Sequence, residues 1–383
     1  MSPRSRIRVC VVLTALVHVI TYLLNTQLPL HVVALGGSHA QIGWLFAVAT
    51  GVAMVLRPQV GGWTDRYGGR AVMLPGAGIL IVTMLALNVA ATPLAFIGLM
   101  AGLGVANALI STTGSIVVAG ESPADRRGES LALYYVASSV GVALGPAVGF
   151  ALAEIGGIAL NFAMVAALAL LVAALVVWLR TAPGDATAPG GIGPPWSRYA
   201  VPASIALIVI TLGAATVYAF LPLHAAAAGL GHVAWFFPLM SGCTIVCRLL
   251  LRRASDRFGR VRVLVPALIA ISLGQVALAA PPSVPGLVVG AALLGCGNSM
   301  LYPTLVALIV DRTPTAERGR AIGTLSGAWD VGLAIGSPLI ALLVDIHGFA
   351  AGVLASALSA ALGLALLLTL ERRRRPGPVP ATR

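Results

Sequence analysis

Lysine is absent from this chain of 383 residues, charged residues make up only 9% of it, and cysteine occurs four times. So little charge excludes a soluble globular domain: hydrophobic residues fill 58% of the positions and would leave too little polar surface to wet. Cys10, Cys243, Cys247 and Cys296 all fall inside apolar runs, which argues against a disulfide framework. Cys243 and Cys247 share a helix face with Met240, so a soft-metal path is conceivable, although buried Cys and Met are more often packing residues. There is no GxxxxGKS/T stretch and no carboxylate cluster, so no enzyme is expected, and no cofactor.

What the chain has in quantity is apolar runs of helical length. A helix needs ~20 residues to cross ~30 Å of hydrocarbon, whereas barrel strands are ~10 residues long and alternate. Twelve runs are expected, at 8–30, 41–61, 71–90, 94–118, 130–153, 157–179, 200–223, 233–251, 263–280, 286–309, 321–344 and 349–370. The expected fold class is an all-α membrane protein with no separate soluble catalytic domain. The first run starts within eight residues of Met1 and leads into Asn25, Gln27 and Pro29 without a small-residue cleavage pattern, so it reads as a retained helix.

All 24 basic residues are arginines, and they are placed on one side. They cluster before run 1, after runs 2, 4, 8, 10 and 12, and around the middle loop, whereas the loops at 31–40, 90–93, 154–156, 224–232, 280–285 and 345–348 contain none. The positive-inside rule then puts both termini in the cytoplasm. The net charge of +12 is topology, with no nucleic-acid partner implied, and the run Arg372 to Arg375 reads as an anchor at anionic lipid headgroups.

The chain also repeats itself. An offset of 191 places Asp65-Arg66-Tyr67-Gly68 on Asp256-Arg257-Phe258-Gly259, Arg57 on Arg248, Asn107 on Asn298, Gly141 on Gly332 and Gly145 on Gly336. An offset of 193 places Leu28-Pro29-Leu30-His31 on Leu221-Pro222-Leu223-His224. Six runs per copy make the halves parallel, related by an axis along the membrane normal, with a site at the midplane between them. The expected domains are a bundle at 1–180, a Pro- and Gly-rich linker at 181–198, a second bundle at 199–371 and a basic tail at 372–383.

With these residues in view, the whole chain resembles the major facilitator superfamily. Gly61-x-x-x-Asp65-Arg66-x-Gly68-x-Arg70 looks like that family's signature in the loop between helices 2 and 3, and Asp256, Arg257 and Gly259 like its looser second copy, with Arg252 in place of the first Gly. The resemblance implies two six-helix bundles and a loop that controls conformational switching, with Asp65 and Arg66 latching the outward-open state. Gly141-x-x-x-Gly145-Pro146-x-x-Gly149 resembles the antiporter motif of proton-coupled exporters. It reads equally as a small-residue packing face, and Gly332 and Gly336 repeat part of it. Where drug exporters of this resemblance often carry Arg in helix 4, this chain has Gly98, so that proton relay is absent.

Charges inside the membrane need a reason, at ~2.5–3.5 kcal/mol each on insertion scales. Asp330 lies ten residues past Arg320, ~15 Å into its run, near the midplane. The resemblance implies that helix 2 packs on helix 11, so Arg57 is expected to meet Asp330, either as a proton-coupling pair or as a permanent structural one. His18 is a further proton-coupling candidate or a packing group. Arg248 faces Ser139 where Arg57 faces an acid, and is expected to meet an anionic substrate group or carbonyls of helix 5. Tyr22, Asn25, Asn107, Tyr134, Tyr135, Tyr218, Asn298, Tyr302 and Trp329 are the other cavity candidates, and aromatics beside a few amides suit a small amphipathic organic substrate. The expected function is secondary active transport by a monomer, as proton-driven efflux of a drug-like compound or secondary metabolite. The alternatives are an uptake permease for a small metabolite, a transporter-like receptor and a soft-metal transporter.

Overall fold

A computed structural model of the protein describes residues 1–123, 127–181, 196–230, 233–251, 254–281, 283–314 and 317–373. Helix α1 (Pro3–Ala34) starts at Ser2, whose side chain accepts from the Ser5 amide. α2 (His39–Tyr67) starts at a reciprocal cap between Ser38 and Gln41. Its far end turns through Gly68, at φ 82°, into α3 (Gly69–Ala86). Side chains rarely tolerate that φ, which is why the signature places glycine there.

α4 (Pro93–Asn107) is capped by Thr92 and continues through a π-helical turn, Ala108–Thr112, into α5 (Thr113–Glu121). α6 (Arg127–Trp178) contains two non-helical residues, Gly156 and Gly157, so the runs expected at 130–153 and 157–179 are one element divided at a diglycine. The run expected at 200–223 is broken into α7 (Val201–Thr211), α8 (Ala215–Ala219) and α9 (Leu221–Ala227). α10 (Phe236–Leu250) is followed by α11 (Ala254–Phe258), which turns through Gly259, φ 92°, into α12 (Arg260–Ala279). α13 (Val284–Val310), α14 (Arg318–His347) and α15 (Phe349–Arg373) complete the order. Among the described residues, ten helical stretches are long and apolar enough to cross a membrane, and α10 is a shorter apolar helix. Most of the 181–198 segment and of the 372–383 tail lies outside the described residues.

The first six elements pack mainly on one another, as do α7 to α15, and the two groups meet chiefly where α2 packs on α14 and α6 on α10. The glycine stripe of α6 has a defined job. A Cβ at Gly145 would lie 2.8 Å from the Leu23 amide and the Val19 carbonyl of α1, and one at Gly149 would press on Gln27. In the second half, a Cβ at Gly336 of α14 would strike the Leu212 carbonyl at the end of α7, and one at Gly332 would strike Thr211. Val19 and Leu212 are 193 apart while Gly145 and Gly336 are 191 apart. The two-residue slip in the repeat is thus real and lies between the first helix of each half and the glycine helix packed on it.

Backbone atoms cannot yield to an added side chain as a flexible neighbour can. Gly145→Leu and Gly336→Leu are each expected to lose about 1–3 kcal/mol by overpacking. The readout is a lower Tm of the purified chain in detergent. Gly98, exposed and with nothing within 4 Å of an added Cβ, is the control: Gly98→Ala is expected to cause no loss.

Candidate functional site

The seam between α2 and α14 holds the one buried ion pair among the described residues that joins the two halves deep inside the molecule. Arg57 Nε lies 2.7 Å from Asp330 Oδ2, with the Asp330 side chain 6% exposed. The N–H does not point along that line, so the contact is a charge pair without an aligned hydrogen bond. The structure therefore brings together the two residues that the sequence pairs. Removing one partner of such a pair leaves the other charge bare, which typically costs about 3–5 kcal/mol.

The duplicated position behaves differently. Arg248 of α10 donates from one terminal nitrogen to Ser139 Oγ of α6 at 3.3 Å and from Nε to the Ser299 carbonyl of α13 at 3.3 Å. Ser139 stands where the repeat puts Asp330, so Arg248 reaches toward the matching position and finds a hydroxyl. The expectation of carbonyls from helix 5 is corrected: the carbonyl comes from α13, and helix 5 supplies the hydroxyl. Among the described residues Arg248 has no carboxylate partner, and Arg57, Asp330 and Arg248 together carry one net positive charge.

Aromatic rings bracket these charges in two groups. In the first, Tyr134 and Tyr135 of α6 stand edge-on at 5.7 Å, Tyr135 meets Tyr302 of α13 at 5.9 Å across the halves, and Tyr302 meets Trp329 of α14 at 6.1 Å. The Tyr302 hydroxyl hydrogen-bonds Ser326 at 2.6 Å, and that of Tyr134 donates to the Ser111 carbonyl at 2.7 Å. Ser111 sits in the π-helical turn, where the regular i to i−4 pattern is broken and a carbonyl is free to accept. In the second group, His18 stacks near Tyr22, and Tyr22 meets Tyr218 at 5.0 Å across the halves, with Phe237 behind it.

His18 Nδ1 lies 2.7 Å from the Thr14 carbonyl of its own helix, and its Cβ abuts Gly141 of α6. Asn107 donates to Thr21 at 3.4 Å. Asn25 and Asn298 are half-buried and make no side-chain hydrogen bond among the described residues. Pro146 lies within α6 in the glycine stripe.

The two ends of the α2–α14 seam differ. At the arginine-poor end, His39 Nδ1 lies 2.6 Å from Asp345 Oδ1, and a Cβ at Gly43 would fall 2.8–2.9 Å from Ala341, Pro338 and Ser337. At the arginine-rich end, Gly61 and Gly62 of α2 and Gly323 and Gly327 of α14 have nothing within 4 Å of an added Cβ. Asp65, Arg66 and Tyr67 are exposed, Arg66 lies over the Tyr67 ring, and the Arg70 amide donates to Thr181. Arg257 likewise lies over Phe258, while the Asp256 side chain is outside the described residues. Asp65 makes no ion pair among the described residues. The His39–Asp345 contact was missed from sequence, although an acid and a histidine on a face without arginine were signals of it.

The four cysteines are free, with the Cys247 and Cys296 thiols 3.0 Å apart. Among the described residues no group of three or more His, Cys, Asp or Glu is placed to hold a metal ion.

Comparison with known proteins agrees with this geometry. The profile of the Major Facilitator Superfamily matches residues 10–253 and 203–383. An MFS-type transporter of Pseudomonas aeruginosa (strain UCBPP-PA14) is 33% identical over 177 residues, covering 46% of this chain and 44% of the relative, so that alignment spans under half of the relative's length. A staphylopine export protein of Staphylococcus aureus (strain Mu50) is 24% identical over 349 residues, 85% of this chain and 86% of the relative. Among solved structures, a POT family transporter in complex with a thioalcohol-conjugated peptide superposes with a TM-score of 0.81 at 12% identity, over 96% of each chain. This chain belongs to the major facilitator superfamily and is a multi-pass plasma membrane protein.

Proposed function

We propose that the chain is a proton-coupled exporter of a small amphipathic organic compound, working by alternating access. Its two six-helix bundles, 1–180 and 199–371, rock about the seam, joined by the linker at 181–198, with both termini in the cytoplasm. Support for twelve spans comes from the ten long apolar helices, with α6 divided at Gly156 and Gly157 and α10 as a short span. Support for the cytoplasmic termini comes from the arginine-free loops on the opposite face. The contacts at His39, Gly43 and Asp345, against open space at Gly61 and Gly323, correspond to an inward-open conformation. In it the outward-open latch at Asp65, Arg66, Gly68 and Arg70 is released.

The observation that carries the reading is the Arg57–Asp330 pair. When the bundles part along α2 and α14, the two charges separate inside the membrane, and protonation of Asp330 relieves the cost on the acid side. Proton release and return at Asp330 then couples to the opening of the seam. Export over uptake is supported by the glycine stripe of α6 and by the relative that exports staphylopine. The energy source is the proton gradient, and the working unit is a monomer.

The test is transport in proteoliposomes of the purified chain under an imposed pH gradient, with amphipathic dyes of both charge signs as probes. Dye movement opposite to the proton flow is expected, and equal rates with and without the gradient reject antiport. Asp330→Asn is expected to lose gradient dependence while retaining exchange; if gradient-driven transport persists in this variant, the acid is a structural partner only.

The conformational reading has its own measurement. In a cysteine-free background, His39→Cys with Asp345→Cys is expected to cross-link readily with a short bis-methanethiosulfonate, which joins the two thiols through disulfides and releases sulfinate. Transport is expected to stop on cross-linking and to recover on reduction. A cross-linked protein that still transports would exclude opening at that face.

A further inference from the structure

The repeat leaves one cation in the seam without its acid. Arg57 is matched by Asp330, while Arg248, its duplicate, is held by the Ser139 hydroxyl and the Ser299 carbonyl, both neutral and both at 3.3 Å. Neutral acceptors orient a guanidinium and leave its charge uncompensated in a region of low dielectric. The surroundings of this charge are specific. Ser139 lies one helical turn from Tyr135 on α6, and Ser299 lies one turn from Tyr302 on α13, so each partner of Arg248 shares a face with one ring of the pair that meets across the halves at 5.9 Å. Trp329, next to Asp330, extends the aromatic wall.

We propose that Arg248 is the binding residue for an acidic group, and that the transported compound is an amphipathic organic anion: a carboxylate, sulfonate or phosphonate on an apolar, preferably aromatic, body. The acidic group takes the guanidinium in place of Ser139, and the body lies on Tyr135, Tyr302 and Trp329. The charge of the seam is then balanced, with the anion standing where the duplication would have put a second aspartate. This rests on the reading of the seam as a transport site. An anionic lipid headgroup carries the same chemistry, and the experiment separates the two.

The purified full chain in a phospholipid-free maltoside detergent is titrated with 2-naphthoate, 1-naphthalenesulfonate, benzylphosphonate and, as the cationic counterpart, 1-naphthylmethylammonium. A saturable rise in Tm is expected with at least one anion and none with the cation. Arg248→Gln is expected to weaken the response at least tenfold. Ser139→Asp, which supplies the missing acid without removing any packing, is expected to abolish the response and to raise the ligand-free Tm. This second variant keeps the proposal testable if Arg248→Gln fails to fold.

Absence of a response to all three anions, a preference for the cation, or full anion binding in Ser139→Asp overturns the proposal. So does a response to phosphatidylglycerol alone, which assigns the cation to bilayer lipid. Binding in detergent needs no gradient and no direction of transport. If it holds while vesicles show no antiport, the export reading fails by itself; if antiport holds for cationic dyes without anion binding, this inference fails by itself.

Discussion

A guanidinium and a carboxylate held 2.7 Å apart between two helices of different bundles set the terms for everything around them. Each charge alone is expensive inside a membrane, and the pair is tolerable because each is the other's counter-ion. The seam between α2 and α14 can therefore part only if one charge is neutralised or another counter-ion is supplied. The sole group of the pair that changes charge within the ordinary pH range is Asp330, since arginine keeps its proton. Under the proposed function this contact is therefore the place where protonation and bundle movement are linked.

Packing differs between the two ends of the seam. At the arginine-poor end, α2 and α14 are so close at Gly43 that no side chain fits, and His39 and Asp345 close the contact. At the arginine-rich end, glycines on both helices face open space. Under the proposed alternating access, rigid helices joined at one end and apart at the other act as levers with the Arg57–Asp330 pair between. The glycine seams α1–α6 and α7–α14 lie within the halves and keep each bundle stiff during such a movement, because backbone in contact with backbone leaves no room to deform.

Much of this was legible in the sequence because membrane insertion imposes strong rules. Apolar length marked the helical class, with ten long apolar helices among the described residues, and the Asp65 and Asp256 stretches marked the internal repeat. The depth of Asp330 and the offset from Arg57 to Arg248 led to the ion pair and to its missing mirror. What was not legible depends on backbone geometry. The π-helical turn at Ala108–Thr112 has no local residue signal, and it decides that Tyr134 bonds the Ser111 carbonyl. His18, near the midplane by its distance from Arg8, was legible only as a proton-coupling candidate or a packing group; its ring bonds the Thr14 carbonyl of its own helix and its Cβ abuts Gly141.

The differences between the two copies are as informative as their likeness, because duplication starts with identical charges and the present ones have diverged. At the arginine-rich end, Arg312 holds Glu371 through two hydrogen bonds, 2.6 and 2.5 Å long. The corresponding positions of the first half are Glu121 and Arg180, the same pair with its signs exchanged. There Glu121 is taken by Arg6 of α1 at 2.6 Å, and Arg180 is exposed. Exchanging signs leaves an ionised group able to find an opposite charge, as Glu121 finds Arg6, although Arg180 is not its partner here. Replacing an acid by serine does not, which is the change that separates the surroundings of Arg248 from those of Arg57. Positions that only brace can invert their charges freely, whereas a lost acid leaves a fixed cation that some other anion must balance. Among the described residues no carboxylate pairs with Arg248, and it is there that the inference above places a solute as counter-ion.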